Sequence, residues 1–291
     1  MVSTDNEFSF LIVSDIHDTI GNVRKLVDWY QKEKPRVDYI LCCGDVVTVP
    51  NGEQDLQESA KKYEPIMVNI FQELEKICPR IIYIPGNHEP YTIYKKDAPF
   101  LTKSSVNIHR KFVKLTSDLY IVGLGGSTPI LQGAKYEVGQ IPYKDLDFSK
   151  EMYSGYPYNC DTSKENYVKS DQMLLKDLQE TIDTMKKQAG DPYYILLTHC
   201  GPLYCLTNYM VVQGDNLYLG SEQLGKVFWE ESKCFMNIHG HTHTGKGSIN
   251  LTDTKTVMNP GDLASGNYAY ITIKKNSKGV WHLDSSSMNL I

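Results

Sequence analysis

Three histidines at alternate positions are the first residues whose spacing could do chemistry. The segment NIHGHTH, residues 237–243, contains His239, His241 and His243. Side chains two residues apart lie on one face of an extended backbone, so these imidazoles could converge on one point. Imidazole is a common metal ligand. A chance cluster of surface histidines, or a buried hydrogen-bonded histidine, would give the same local pattern, so the elements around the segment have to decide.

Seven short apolar runs end abruptly in polar residues together with glycine or proline. They lie at residues 8–18, 37–45, 80–89, 119–127, 193–202, 234–243 and 256–262. Short apolar runs bounded by turn residues predict buried strands. Near the end of the chain, residues 267–275 and 279–286 predict a further pair of strands, which could be antiparallel.

Four segments between these strands have helical spacing, at residues 22–34, 63–77, 170–187 and 221–232. The first places Val23, Leu26, Val27 and Tyr30 on one face. The third opens with Ser170, a suitable N-cap. Strands that alternate with helices imply right-handed crossovers and a largely parallel, buried sheet, which is an α/β fold.

The composition is that of a globular protein, with 291 residues, 41% hydrophobic and 22% charged. A formal net charge of -5 gives no general attraction to nucleic acid or to an anionic membrane, so a phosphate-bearing partner must be attracted locally. Seven cysteines, an odd number, predict reduced and buried thiols rather than a disulfide framework. Because no signal peptide and no long apolar span is evident, we expect a cytosolic protein.

One stretch interrupts the alternation of strands and helices. Residues 128–169 have no clean period and are rich in tyrosine, glycine and proline. A long irregular stretch in a compact domain is usually functional or mobile. No linker or repeat divides the chain, so we expect one domain over residues 1–291 with an irregular insertion at about 128–169.

The residues that follow the predicted strands form the candidate site. They are Asp15, His17, Asp45, Asn87, His88, His199, His241 and His243. Because sites in α/β sheets form beyond the carboxyl ends of the strands, these side chains would meet at one edge. Carboxylate, imidazole and amide oxygen together can bind Zn, Mn or Fe(II). The sequence contains no Cys-x-x-Cys pair, which argues against a structural zinc site. Taken singly, each could be an ordinary cap, loop or turn residue, so the metal site rests on the whole set.

The order of these residues resembles a known family. DIH at 15–17, GD at 44–45, GNHE at 86–89, TH at 198–199 and GHTH at 240–243 are similar to the five motifs of the calcineurin-like metallophosphoesterases. NPGD at 259–262 is similar to the segment that closes the sheet in many smaller members. The resemblance spans residues 10–273. It implies a four-layer α/β/β/α sandwich with mixed sheets and the ligands at the carboxyl ends of strands.

The resemblance also implies a role for each residue. Asp15, His17 and His243 would bind one metal ion, Asn87, His199 and His241 would bind a second, and Asp45 would bridge the two. His88 would act as general acid and protonate the leaving alkoxide. His239 matches no ligand position and is expected to pack behind the site. Asp18 and Glu89, carboxylates beside the motifs, are expected to be solvated or to support the ligands indirectly.

A site of this kind would make the protein a dinuclear metal-dependent phosphoester hydrolase. Two cations clamp the attacking and leaving oxygens of a phosphoryl displacement, and a water that bridges them becomes the hydroxide nucleophile. The ligand set admits Mn, Fe, Zn, Co or Ni, of which we favour Mn. Two dications against two carboxylates leave the site positive, so an acidic protein can hold phosphate there.

The substrate expected from the sequence is a small phosphodiester. The only arginines are Arg24, Arg36, Arg80 and Arg110, and none follows the GD or GNH motif, so a bidentate clamp on a monoester dianion is hard to build. Tyrosines in the irregular segments could stack on a nucleotide-like substituent or lie on the surface; they are Tyr91, Tyr94, Tyr136, Tyr143, Tyr153, Tyr156 and Tyr158. A phosphomonoesterase and a non-catalytic interaction scaffold are the alternatives. No feature indicates a nucleic-acid or membrane partner, and the oligomeric state is open.

Overall fold

The computed structural model describes residues 6–49, 56–95, 101–128, 164–203, 205–212 and 215–291. Within them, two six-stranded sheets pack face to face, and two helices cover the outer side of each sheet. The layers therefore follow the order helix, sheet, sheet, helix. This confirms the four-layer sandwich with mixed sheets.

The strands are β1 Glu7–Val13, β2 Tyr39–Cys42, β3 Ile81–Tyr83, β4 Ser105–Asn107, β5 Lys111–Lys114, β6 Leu119–Leu124, β7 Tyr193–Thr198, β8 Gly201–Pro202, β9 Tyr209–Val212, β10 Asp215–Tyr218, β11 Gly220–Ser221, β12 Cys234–Ile238, β13 Gly247–Thr252, β14 Lys255–Asn259, β15 Asn267–Lys275 and β16 Trp281–Leu290. The α-helices are α1 Ile20–Glu33, α2 Leu56–Leu74, α3 Lys164–Ala189 and α4 Glu222–Glu230.

Both sheets combine parallel with antiparallel strands. The first sheet has the order β16-β15-β1-β2-β3-β4, and the second has the order β13-β14-β12-β7-β6-β5. Strands β1 to β4 are parallel, as are β6, β7, β12 and β14. Strand β15 is antiparallel to both β1 and β16, and β5 and β13 are antiparallel to β6 and β14 across short hairpin connections. The largely parallel, mixed sheets and the antiparallel pair near the end of the chain are therefore confirmed.

Strand β1 illustrates why the inner strands are mainly apolar. Phe8, Phe10 and Ile12 pack in the core between the two sheets, whereas Leu11 and Val13 pack against α1 and α2. Successive side chains of a strand point to opposite faces, so a strand that is covered on both faces has no polar side. Each fully buried side chain of this size contributes about 1.5–3 kcal/mol.

The helices agree with the sequence patterns, with differences at their ends. Helix α4 begins after Ser221, whose hydroxyl oxygen accepts a hydrogen bond from the Leu224 amide at 2.8 Å. Helix α3 begins at Lys164, so the expected N-cap at Ser170 is wrong and that residue lies inside the helix. The segment KENYVK before it contains no helix-breaking residue, which lets the helix start earlier.

Parts of the sequence predictions remain untested. Of the expected insertion at 128–169, residues 129–163 lie outside the described residues, while residues 164–169 belong to α3. The single domain therefore stays a prediction. Tyr94 is buried, with its ring against His109, and Tyr136, Tyr143, Tyr153, Tyr156 and Tyr158 lie outside the described residues.

The cysteines and the helices bear on two further expectations. Six cysteines in the described residues are buried and free, as expected for reduced thiols; they are Cys42, Cys43, Cys78, Cys200, Cys205 and Cys234. In the same part of the chain, no helix combines the length and the apolar character needed to cross a membrane. The cytosolic location stays a prediction.

Candidate metal centre

The predicted site residues meet at one end of the sandwich, where loops follow β1, β2, β3, β7 and β12. Four of them have a left-handed backbone: Asp15 with φ 50°, His17 with φ 47°, Asp45 with φ 52° and His241 with φ 66°. Asp and His adopt this conformation more readily than most residues, and such strain concentrates at functional sites. The tight loops turn these side chains towards each other.

The first cluster joins the β1 loop to the β12 loop. Ligand atoms of Asp15, His17 and His243 all lie within 4.8 Å of one another. Nε2 of His243 is 3.3 Å from Oδ1 of Asp15 and 3.1 Å from Nε2 of His17. One carboxylate and two imidazoles at these distances could hold a single cation.

The second cluster joins the loops after β2, β3, β7 and β12. Ligand atoms of Asp45, His199 and His241 lie within 4.8 Å of one another. Oδ1 of Asn87 is 2.9 Å from Nε2 of His199, which adds an amide oxygen to the set. The structure thus brings together all four residues expected at the second metal position.

Asp45 lies between the two clusters. Its Oδ2 is 3.3 Å from Nε2 of His199 and 3.9 Å from Nε2 of His17, so one oxygen faces both groups. Its Oδ1 accepts a hydrogen bond from the backbone amide of His88 at 2.8 Å. A carboxylate in this position could contact a cation in either cluster.

Two buried ligand atoms test whether the clusters suit cations. Nε2 of His241 and Oδ1 of Asp15 are buried and have no hydrogen-bond partner among the described residues. A buried polar atom without a partner is costly, and a cation would satisfy both a lone pair of imidazole and a carboxylate oxygen. The residues present therefore fit a pair of metal ions.

The charged groups of the two clusters shift one another's pKa values. Burial raises the pKa of Asp45, but the histidines around it, His199 first, lower that pKa far below its usual range. Burial lowers the pKa of His199, but Asp45 outweighs burial and raises it to about 9. Burial and the nearby His199 lower the pKa of His241 to about 3, which keeps this imidazole in the neutral form that binds metals.

Supporting hydrogen bonds orient two of the candidate ligands. Nδ1 of His199 donates to the carbonyl oxygen of Cys43 at 2.7 Å, and Nδ1 of His17 lies 2.9 Å from the hydroxyl of Thr48. Both contacts leave Nε2 facing the cluster. Partners of this kind fix the ring orientation of metal-bound histidines. Thr48 was not predicted from the sequence, since nothing in its spacing marks it.

Asn259 holds the loop that carries His241 and His243. Its Nδ2 donates to the carbonyl oxygens of Thr242 at 2.8 Å and Thr207 at 3.1 Å. NPGD was interpreted from the sequence only as a segment that closes a sheet. The sequence did not predict that Asn259 supports the site, although Asn259 belongs to that motif. Asn259 therefore supports the site from behind.

Three charged or titratable residues near the motifs lie outside the clusters. His239 is buried, and burial lowers its pKa to about 4. Its Nε2 lies 2.8 Å from the hydroxyl oxygen of Thr207. His239 therefore packs behind the site, as expected. Oδ2 of Asp18 accepts from the Thr48 amide at 2.9 Å. Glu89 is fully buried rather than solvated, and burial, with Asp45 nearby, raises its pKa to about 8.

His88 stands beside the first cluster. Its ring centre is 5.3 Å from that of His17, and its side chain is partly exposed. A ring at this place is close enough to reach a group held between the clusters and remains open to solvent.

Comparisons of the sequence and of the fold with known proteins identify a family. The family model described as calcineurin-like phosphoesterase matches residues 8–245, and the chain belongs to this family of dimetal-dependent phosphoester hydrolases. Lariat debranching enzyme A from Xenopus laevis is 27% identical over 175 residues, which is 57% of this chain and 30% of that protein. The chain thus spans under a third of the length of this relative.

Solved structures share the fold. The protein TT1561 of Thermus thermophilus superposes with a TM-score of 0.55 at 15% identity, over 97% of this chain and 98% of that one. The phosphopantetheinyl hydrolase PptH from Mycobacterium tuberculosis superposes with a TM-score of 0.53 at 14% identity, over 89% of this chain and 92% of that one.

Proposed function

We propose that the protein is a phosphodiesterase that uses two divalent transition-metal ions, with Mn as the favoured metal. Asp15, His17 and His243 hold one ion, and Asn87, His199 and His241 hold the other. Asp45 would bridge them, and its position between the two clusters is the observation that carries the proposal. Bound ions of this kind activate the attacking water and neutralise the phosphoryl oxygens.

His88 acts as the general acid in this proposal. Its backbone amide donates a hydrogen bond to Asp45, which keeps His88 beside the residues that would hold the ions. An imidazole N–H of His88 donates its proton to the leaving alkoxide, so that the oxygen departs as an alcohol.

The arginines support a diester rather than a monoester. Each of the four lies within 4.0 Å of a carboxylate oxygen: Arg24 near Glu73, Arg36 near Glu7 and Asp38, Arg80 near Asp38, and Arg110 near Asp177. None of these carboxylates belongs to a candidate cluster. Because guanidinium groups make the best bidentate partners for a phosphate dianion, a singly charged diester suits this site better.

The substrate class follows from this charge argument. The relative from Xenopus laevis is by its name a lariat debranching enzyme. For this chain we propose small phosphodiesters, with nucleotide-like esters as the first candidates.

The test compares two substrates on the purified protein loaded with each candidate metal. We expect kcat/KM for bis(p-nitrophenyl) phosphate to exceed that for p-nitrophenyl phosphate. Equal or faster turnover of the monoester would replace the proposal by a phosphomonoesterase. A protein that binds two ions per chain and hydrolyses neither ester would instead be an interaction scaffold.

A further inference from the structure

The loop after β2 and the loop after β3 are in direct backbone contact. A Cβ atom added to Gly86 would lie 2.1 Å from Oδ1 of Asp45, and one added to Gly44 would lie 2.2 Å from the Gly86 amide nitrogen. The two glycines therefore let the loops approach as closely as their backbones permit. These loops carry Asp45 on one side and Asn87 with His88 on the other.

The carboxylate of Glu89 fastens the two loops together. Its Oε1 accepts from the Val46 amide at 2.5 Å, and its Oε2 accepts from the Gly86 amide at 2.6 Å. In the other direction, Asp45 accepts from the His88 amide, and the Val49 amide donates to the His88 carbonyl oxygen at 3.1 Å. Each loop thus binds the other through a carboxylate.

Glu89 occupies a position that packing alone does not explain. Its side chain is fully buried, and no ion pair joins it to a cation in the described part of the chain. A buried carboxyl group is costly with or without its proton, and an apolar side chain would fill the same volume at lower cost. What the carboxylate supplies is a pair of acceptors for two amides that belong to different loops.

We infer that Glu89 is a positioning residue of the metal centre, which sets the spacing between the loop of Asp45 and the loop of Asn87 and His88. The inference rests on the proposed function, since it assigns Asp45 and Asn87 as metal ligands. Through Val46, Glu89 holds Asp45 so that Oδ2 faces both clusters. Through Gly86, it holds Asn87 opposite His199.

The test is Glu89→Gln in the full-length protein, with Mn(II) as the probe. The substitution keeps the volume but turns an NH₂ group towards one of the two amides. We expect Mn(II) affinity at one site, and kcat for a diester, each to fall by about 10–100-fold with little change in KM. The electron paramagnetic resonance signal of coupled Mn(II) pairs should give way to that of isolated Mn(II).

Asp171→Asn is the matched control. Asp171 is also a buried carboxylate, it accepts from the Gln223 amide at 3.1 Å at the start of α4, and it belongs to neither cluster. Its substitution should leave Mn(II) affinity and the coupled signal unchanged. An equal loss of Mn(II) affinity in both variants would mean that Glu89 only stabilises the fold in general, and it would overturn the inference.

Glu89→Asp covers the case in which the glutamine variant does not fold. The shorter carboxylate can reach only one of the two amides, so an intermediate loss of Mn(II) affinity is expected. A folded variant of either kind that binds two Mn(II) ions with wild-type affinity and coupling overturns the inference. A wild-type protein that binds two coupled ions without hydrolysing diesters contradicts only the proposed function.

Discussion

Nε2 of His17 and Nε2 of His243 lie 3.1 Å apart, although the two residues are 226 positions apart in the chain. Two nitrogens bound to one cation at ordinary coordination distances lie about 3.0–3.4 Å from each other. One histidine follows a strand of the first sheet and the other follows a strand of the second. The proposed centre is therefore built across both sheets.

His241 and His243 should bind different ions. We expect His241→Ala and His243→Ala each to lower the metal content from two ions per chain towards one, because each removes a ligand from only one cluster. Elemental analysis after dialysis measures the ratio. His282→Ala, on β16, should keep the wild-type content, and loss of both ions in either single variant would contradict the division.

Removal of His88 should separate acid catalysis from metal binding. We expect His88→Ala to keep two ions and to lower kcat by about 10²–10⁴-fold for a diester with an alkyl leaving group. The loss should be smaller with p-nitrophenolate, which leaves without protonation. Steady-state kinetics with both leaving groups measures the difference, and an unchanged kcat for the alkyl ester would show that the acid is another group.

Gly86 should tolerate no side chain. The Cβ of Gly86→Ala would lie 2.1 Å from Oδ1 of Asp45, so the carboxylate has to move and metal affinity should fall. Gly21→Ala is the control, because a Cβ at Gly21 meets nothing within 4 Å and lies in helix α1. That variant should gain about 0.5–1 kcal/mol of stability and keep its metals. Calorimetry of metal binding and of unfolding distinguishes the two, and wild-type metal affinity in Gly86→Ala would rule out the close contact.

His109 should make the protein sensitive to acid. Burial, with Arg110 and Lys111 nearby, lowers its pKa from 6.5 to about 3. The neutral ring takes up a proton on unfolding, so its contribution to stability is complete above pH 6.5 and is lost as the pH falls towards 3. We expect the free energy of unfolding of the wild type to fall more steeply than that of His109→Asn in this window, by up to about 1.4 kcal/mol per pH unit.

Urea unfolding at several pH values measures these slopes. The asparagine variant can still accept the hydrogen bond that Nδ1 of His109 takes from the Gly125 amide at 2.9 Å. The two proteins should therefore have similar stability near neutral pH. Parallel slopes between the wild type and the variant would show that His109 is protonated in the folded chain.

The sequence predicted the long strands, β15 and β16 among them, better than short strands such as β5, for a physical reason. Strand β1 is buried on both faces, so its apolar run is visible in the sequence, and Asp15 and His17 follow it directly. Strand β5, with the sequence KFVK, is short and half exposed, and its place depends on pairing with β6. A pattern of burial is absent where a strand is held mainly by its neighbour.

The contacts of the supporting residues could not be predicted from the sequence, although Glu89 was named there as a possible support. The spacing of Thr48 and Glu89 relative to the motifs does not show which amide or imidazole they contact. Those contacts arise only when separate loops are packed together. Residues that contact cations directly are marked by their chemical type, whereas residues that hold those ligands in place are marked only by three-dimensional proximity.

The loops of both proposed ion sites come from opposite halves of the sandwich. Cation binding would therefore hold the two sheets together, and metal affinity would depend on how closely the two sheets pack. Removal of the ions with a chelator should weaken the packing between the two sheets before it unfolds either sheet. Hydrogen exchange of the buried amides between the sheets should therefore accelerate first.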